Sequence, residues 1–180
     1  MRPLRPLIAT AATTAAAASL VVAGPATART LVFHDRAGDT GAPSDITRVV
    51  VDNATHGGRV IVTARMGNMI DGDSSTLWLD TAPRNAGPEY KLRIFPDSDG
   101  FALRRVGSFT AHGHAVRCSG LRAHALTGFH VTDRFSIPRA CLHHPGKVRV
   151  AIKGRYQYAT RIVTDWAPRY HHFFGWVRRG

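Results

Sequence analysis

The sequence lacks the short motifs that identify many enzymes and nucleotide-binding proteins. It has no P-loop, no dinucleotide-binding fingerprint and no paired-carboxylate pattern strong enough for a glycosidase. No helical period of apolar residues is sustained over three turns, which argues against an α/β fold, and there is no internal repeat. After the N-terminal region, no stretch is long and apolar enough to span a bilayer. What remains is a chain of short apolar runs separated by turn residues.

Cysteine is also scarce, because Cys118 and Cys141 are the only two in the sequence and neither has a CxxC partner. An exported chain meets an oxidising setting, where an even pair fits one disulfide better than two free thiols or a metal pair. The bond would close a loop of 24 residues. On the chain-entropy model, a loop of that length contributes about 3 kcal/mol of stability.

The N-terminus has the pattern of a secretory signal peptide. Two arginines precede an Ala/Val/Leu-rich run over residues 7–22, and small residues lead up to Ala28. A membrane anchor fits less well, because the apolar run is short and ends in Gly-Pro. We therefore expect residues 1–28 to be removed and residues 29–180 to form one secreted domain.

Positive charge dominates the chain and is unevenly distributed. The net charge is +12, and 14 of the 24 lysines and arginines follow residue 100, with only 2 of the 12 acidic residues. Such an imbalance is typical of a chain with one surface for cations and another for anions, although a solvated basic face has the same composition.

Short runs of alternating or β-branched residues recur along the chain. Residues 46–51 and 59–66 have the pattern of hairpin arms, and Leu77 and Leu79 alternate with Trp78. About nine or ten such strands in one domain predict an all-β fold built as a two-sheet antiparallel sandwich.

An ordered series of short motifs spans nearly all of residues 29–180. The motifs are Asp35-Arg-Ala-Gly-Asp39, Asp45-Ile-Thr-Arg-Val49, Leu77-Trp-Leu-Asp-Thr81, Gly87-Pro-Glu-Tyr90, Ile137-Pro-Arg-Ala-Cys-Leu142 and Asp165-Trp-Ala-Pro168. In this order they resemble small secreted bacterial β-sandwich proteins of uncharacterised role and, more remotely, DOMON domains and family 9 carbohydrate-binding modules. The remote resemblance implies a binding module without catalysis, often with structural calcium. No axial Met/His pair can be placed, so this chain departs from the haem-binding DOMON type, and no organic cofactor is expected.

An acidic loop is the candidate cation site. Asp35, Asp39 and Asp45 crowd one glycine-containing segment, and the last strand can bring Asp165 near it. Calcium binds several carboxylate and carbonyl oxygens at once, so these four residues form a candidate structural Ca²⁺ site. The alternative is that they are turn and cap aspartates that satisfy local amides.

Histidines and one serine motif are further candidate sites. Three or four converging imidazoles would suit zinc or copper, but adjacent histidines in a strand point in opposite directions, which favours solvated surface histidines. Gly72-Asp-Ser-Ser75 and Thr110-Ala-His112 are similar to the serine and histidine motifs of trypsin-like proteases, but in the wrong order. No elbow or oxyanion loop accompanies them, so we predict no catalytic activity.

Aromatic residues with neighbouring arginines form the candidate ligand platform. The candidates for stacking on sugar rings are Trp78, Tyr156, Tyr158, Trp166, Tyr170 and Trp176. Of these, Tyr156 and Tyr158 share one face of an extended segment and have Arg155 and Arg161 close by. The aromatic residues of the tail are expected to pack into the core: Phe173, Phe174 and Trp176.

Three functions fit these patterns. The first is a secreted, monomeric, non-catalytic module that binds an extracellular polysaccharide or anionic cell-wall polymer and can remain associated with the wall. The second is an electrostatic polyanion binder that uses the basic C-terminal half, for which export makes nucleic acid a less natural partner. The third is a protein-partner or inhibitor module that uses its loops.

Overall fold

The computed structural model describes residues 29–39, 41, 43–54 and 56–180, so the predicted signal peptide, residues 1–28, lies outside the described residues. Fourteen strands lie in the described part, and four of them are only two residues long. In chain order they are β1 (Thr30–His34), β2 (Ile46–Asp52), β3 (Arg59–Met66), β4 (Asn68–Met69), β5 (Ser74–Asp80), β6 (Tyr90–Ile94), β7 (Leu103–Arg105), β8 (His114–Ala115), β9 (Arg122–His124), β10 (Gly128–Phe129), β11 (Thr132–Pro138), β12 (Lys147–Tyr158), β13 (Arg161–Ala167) and β14 (Val177–Arg178).

The described residues contain no α-helix. Two 3-10 segments, His56–Gly58 and Arg139–Leu142, are the only helical turns in that part of the chain. Accordingly, none of its helical segments has the length and apolar character needed to cross a bilayer. The predicted all-β class is confirmed.

The strands form two main antiparallel sheets. The first sheet has the order β1-β2-β3-β11-β9. The second sheet has the order β13-β12-β5-β6-β7-β8, and β14 pairs with the beginning of β12. A separate two-stranded ribbon joins β10 to β4. The long strand β12 pairs with β13 on one side and with β5 on the other.

One hydrophobic cluster contains residues from both sheets. Val60 and Val62 of β3 are fully buried in it, together with Leu77 and Leu79 of β5. Because side chains alternate across a strand, the intervening residues of each strand point away from this cluster. The shared core fits the predicted two-sheet sandwich, and it leaves an outer face on each sheet.

Close contacts also join the two sheets. The hydroxyl of Ser75 on β5 donates a hydrogen bond to the carboxylate of Asp133 on β11, and both residues are fully buried. Gly154 on β12 lies where the backbones approach closely, because a Cβ there would be 2.8 Å from the carbonyl oxygen of Ser44. Only glycine fits this position without a shift of the backbone.

Asp133 should make stability depend on pH. Burial raises its pKa from the ordinary 3.8 to about 6, although the hydrogen bond from Ser75 acts in the opposite direction. The folded state therefore binds this proton more tightly than the unfolded chain does. Its contribution to stability is complete below pH 4 and is lost as the pH rises through about 6.

Replacing Asp133 by asparagine removes this titration and keeps an acceptor for Ser75. We expect Asp133→Asn to be more stable than the parent by about 3 kcal/mol at pH 8, with little difference at pH 4. Urea unfolding at both pH values measures the effect. The titrations of other carboxylates cancel when the variant is compared with the parent at the same pH. An equal gain in stability at the two pH values would therefore contradict a raised pKa for Asp133.

A disulfide and a buried arginine fix the segment between β11 and β12. The predicted disulfide between Cys118 and Cys141 is present. Arg139 is only 2% exposed, and its guanidinium donates to Asn53 Oδ1 at 2.6 Å and to the carbonyl oxygen of Ala54 at 2.9 Å. Its longer hydrogen bonds are to the carbonyl oxygens of Asn53, Arg59 and Pro145. The Asn53 amide donates in turn to the carbonyl oxygen of Val177 at 2.8 Å, so one side chain connects the end of β2, the start of β3 and β14.

Candidate functional site

A groove of about 520 Å³ lies on the outer face of the second sheet. Its floor consists of alternate residues of β5, namely Ser74, Thr76 and Trp78, which point away from the core that holds Leu77 and Leu79. Its volume falls in the range typical of small-ligand sites. The groove is therefore built on regular strands, with its walls supplied by the neighbouring strands and two loops.

The strand register places cations on both sides of the floor. Thr76 on β5 lies opposite Lys153 of β12 and opposite Arg93 of β6. One step away in the ladder, Ser74 lies opposite Arg155, and Trp78 lies opposite Lys91. We refer to four of these residues as the groove cations: Lys91, Arg93, Lys153 and Arg155.

Aromatic side chains form one wall of the groove. Trp78 of β5 and Trp166 of β13 stack with ring centroids 4.9 Å apart. The strand between them, β12, contributes the small, fully buried Ala151 opposite Trp78, which leaves room for the two rings to meet. Phe109 lies 5.6 Å from Trp78 and stacks on His171 at 4.8 Å, so the wall continues beyond the sheet.

None of the groove cations has a carboxylate partner. The only salt bridge within the described residues joins Arg149 to Asp80, outside the groove. Three of the groove cations instead hydrogen-bond to neutral groups: Lys91 Nζ donates to the carbonyl oxygen of Ala111 at 2.6 Å, Arg93 to Ser74 Oγ at 2.9 Å, and Arg155 to Gln157 Oε1 at 2.6 Å. No residue lining the groove is acidic.

Burial and mutual repulsion both act on these charges. Burial lowers the pKa of Lys153, and the charges of the other three groove cations lower it further. Burial also lowers the pKa values of Lys91 and Arg93; the charges of Arg104 and Arg93 add to the effect on Lys91, and that of Arg155 adds to the effect on Arg93. Lys153 Nζ also lies 5.5 and 5.4 Å from the ring centroids of Trp78 and Trp166, within cation–π range. A group of cations held together without counter-charges is the arrangement expected of an anion-binding site.

His171 completes the aromatic wall as a neutral ring. Burial lowers its pKa first, and the charges of Lys153 and His172 lower it further. Tyr170 stacks on it with a centroid distance of 3.9 Å. At neutral pH, His171 therefore contributes a flat ring surface and adds no positive charge.

The structure separates the predicted ligand-binding residues into two groups. Trp78 and Arg155 line the groove. Tyr156 and Tyr158 lie on the opposite face of β12 from Arg155, and Arg161 pairs with Tyr158 at the tip of the β12–β13 hairpin. Tyr158 is 67% exposed there.

Several groove residues were absent from the predicted ligand set: Lys91, Arg93, Phe109 and His171. The alternation Tyr90-Lys-Leu-Arg-Ile94 already places Lys91 and Arg93 on the face opposite Leu92. That both face Trp78 depends on the pairing of β6 with β5, which the sequence pattern leaves open.

The aromatic tail is only partly in the core. Phe174 is buried and stacks on Phe33 at a centroid distance of 4.7 Å, as expected. Phe173 and Trp176 are half-buried and lie under the guanidinium of Arg149, 4.8 and 4.7 Å from its central carbon. For these two rings the prediction of core packing is wrong, because they cover the outer side of β12.

Three of the four predicted cation ligands converge. Asp39, Asp45 and Asp165 each place one carboxylate oxygen within 4.8 Å of the others. Asp165 is 1% exposed, and its Oδ2 accepts the backbone N–H of Ile46 at 2.7 Å while its buried Oδ1 has no partner. Both oxygens of Asp45 also accept the backbone N–H of Gly38, at 3.1 and 3.0 Å, which is the capping role considered above.

The charges of these three carboxylates also act on Asp35, the fourth predicted ligand. Burial raises its pKa to about 7, with further contributions from the charges of Asp165, Asp39 and Asp45. Burial also raises the pKa of Asp165 to about 6, and Asp39 and Asp45 add to it. Four carboxylates thus lie close together with no basic side chain recorded as their partner in the described residues.

No histidine in the described part of the chain belongs to a cluster with metal-binding geometry.

In comparisons with known proteins, no protein-family model and no curated protein matches the sequence.

Proposed function

We propose that the chain is a secreted, non-catalytic module that binds an acidic polysaccharide in the groove of the second sheet. The observation that carries this proposal is the combination of an aromatic wall with four unpaired cations and no acidic lining residue. The remote resemblance to family 9 carbohydrate-binding modules implies a binding function of this class.

The aromatic wall supports a ring-shaped ligand. Trp166, Phe109 and His171 line the groove as half-buried rings, and Thr110 and Thr164 offer exposed hydroxyls beside them. Stacking against rings and hydrogen bonding to hydroxyls are both suited to pyranose sugars. A linear phosphate chain would make no use of the wall.

The groove cations support an acidic ligand over a neutral one. A neutral sugar would leave four like charges without a counter-charge, whereas carboxylate or sulfate groups would relieve their repulsion. The guanidinium groups of Arg93 and Arg155 can each form paired hydrogen bonds with such an anion. An acidic polysaccharide therefore satisfies both leading hypotheses from the sequence, the polysaccharide-binding module and the polyanion binder.

The test compares three soluble probes by isothermal titration calorimetry: oligogalacturonate, neutral oligogalactan and polyphosphate of matched charge. We expect the uronate to bind at least 10-fold more tightly than either of the other two, because only it uses both the wall and the cations. Its affinity should fall as ionic strength rises to about 0.15 M. Equal binding of the galactan, or equal binding of polyphosphate, would contradict the proposal.

We also propose that Asp39, Asp45 and Asp165 hold a structural Ca²⁺ ion. The converging carboxylates supply hard oxygen ligands, and the unpartnered buried Oδ1 of Asp165 is an acceptor that a cation would satisfy. Asp165 belongs to the second sheet and Asp45 leads into the first, so the ion would link them.

Added calcium should stabilise the protein against heat. At a free Ca²⁺ concentration 100 times the dissociation constant, we expect a gain of about 2.7 kcal/mol after prior removal of metal with a chelator. Asp165→Asn should abolish the gain, and Asp99→Asn, in an exposed turn, should keep it. A melting temperature of the parent protein that does not respond to Ca²⁺ would rule out this ion.

A further inference from the structure

The outer face of the first sheet also carries a cluster of cations. Arg59 on β3, Arg122 on β9 and Arg134 on β11 line a cavity of about 390 Å³, together with His124 and Ser136. The register brings them together, since Arg134 lies opposite His124 and Ser136 lies opposite Arg122. We call the three arginines the arginine face. They point away from the core, because Val60, Phe135 and Ile137 occupy the inner positions of the same strands.

Arg59 is held rigidly at the centre of this face. Its Nε donates to Ser136 Oγ at 2.6 Å, and its Nη2 donates to the carbonyl oxygens of Ser136 at 2.6 Å and Gly120 at 2.7 Å. Within the described part of the chain, Nη1 of this guanidinium donates no hydrogen bond. A guanidinium fixed on one side by the backbone is prepared for an anion on the other.

Charge on the arginine face is uncompensated. Burial lowers the pKa of Arg59, and the charges of Arg122 and Arg134 lower it further. No residue lining this cavity is acidic. Asp52 lies opposite Ile61 on the neighbouring strand, but within the described residues no salt bridge joins it to any of the three arginines.

We propose that the arginine face is a second binding site for the anionic groups of an acidic polysaccharide, so that one domain engages two chains at once. The proposal rests on the proposed function for the class of ligand. The cavity has no aromatic lining residue, so it recognises carboxylate or sulfate groups and does not stack on the ring.

The two sites are too far apart for one short ligand. They lie on opposite outer faces, and the sheets alone are separated by about 10 Å. Both sheets and the core lie between the two sites, so a tetrasaccharide lying along the groove would have to bend around the edge of the domain to reach the arginine face. Two tetrasaccharides should bind per protein, and a long polymer should be cross-linked.

Equilibrium dialysis with tetragalacturonate measures the number of sites. We expect two per protein for the parent and one for Arg122→Gln/Arg134→Gln, in which both exposed arginines are replaced and Arg59 is kept. The control Arg84→Gln/Arg105→Gln removes the same charge from exposed positions outside both faces and should retain two sites. Light scattering with polygalacturonate should show cross-linked particles for the parent and control only.

The outcomes separate this inference from the groove proposal. The inference would be overturned if Arg122→Gln/Arg134→Gln still binds two tetrasaccharides per protein. It would also be overturned if the parent binds only one and this variant binds one as well. A single site lost only in Arg122→Gln/Arg134→Gln would support the arginine face and contradict the groove. Both sites would be supported if Arg93→Gln/Lys153→Gln binds one tetragalacturonate per protein and the variant that combines all four substitutions binds none.

Discussion

Replacing Arg139 by methionine is expected to lower the free energy of unfolding by about 3–5 kcal/mol. Methionine fills much of the same volume but donates no hydrogen bond. The acceptors of Asn53 and Ala54 and the carbonyl oxygens of Arg59 and Pro145 would then lose their shared donor inside the protein. Each buried acceptor left unsatisfied costs on the order of 1–3 kcal/mol, and only part of this is recovered from relief of the buried charge.

Urea unfolding of the two proteins, with the disulfide intact, measures this effect. Arg179→Met is the matched control, because Arg179 is exposed and lies close enough to repel Arg139. It should change the free energy of unfolding by less than about 0.5 kcal/mol. A loss below about 1 kcal/mol in Arg139→Met would mean that water replaces the guanidinium, and that the side chain does not organise this end of the fold.

The groove variant Arg93→Gln/Lys153→Gln is expected to weaken binding of an acidic oligosaccharide about 100-fold, which corresponds to about 2.7 kcal/mol. Two charge-assisted contacts from the centre of the groove disappear together. The same variant should be at least as stable as the parent, because burial and mutual repulsion already disfavour these charges in the folded protein.

Opposite effects on binding and stability distinguish a binding role from a structural one. Calorimetry gives the affinity, and thermal unfolding of the same samples gives the stability. Arg84→Gln/Arg105→Gln removes equal charge elsewhere and should weaken binding less than about 3-fold. Loss of stability together with loss of binding would indicate that Arg93 and Lys153 support the fold itself.

The β-class of the fold could be predicted because its strands are short and strongly alternating. The hairpin arm predicted at residues 59–66 coincides with β3. By contrast, residues 101–109 also have the sequence pattern of a hairpin arm, but only Leu103–Arg105 pairs. Phe109 leaves the sheet to pack on Trp78 and Trp166 instead. Tertiary packing of one aromatic ring thus overrides the local preference for extended structure.

The candidate site could be predicted only where neighbours in sequence remain neighbours in space. The acidic loop brings Asp39 and Asp45 together, as its spacing indicated, and β13 adds Asp165. The groove joins β5, β6, β12 and β13, and the order of strands in a sheet is not written in their alternation. For that reason the sequence predicted Trp78 and Arg155 as ligand-binding residues, but it did not predict Lys91 and Arg93, which belong to the less basic half of the chain.

The groove cations are mounted on strands, and this fixes the distances between them. Residues two apart on one strand are about 7 Å apart, and residues two strands apart are about 10 Å apart. Lys153 and Arg155 share one strand, and Lys91 and Arg93 share another with β5 between them. A polymer whose negative charges repeat at matching intervals can contact all four groove cations. A polymer of the same charge density with a different spacing contacts fewer of them. Under the proposed function, the sheet is therefore expected to favour an acidic polymer whose charges repeat at these intervals.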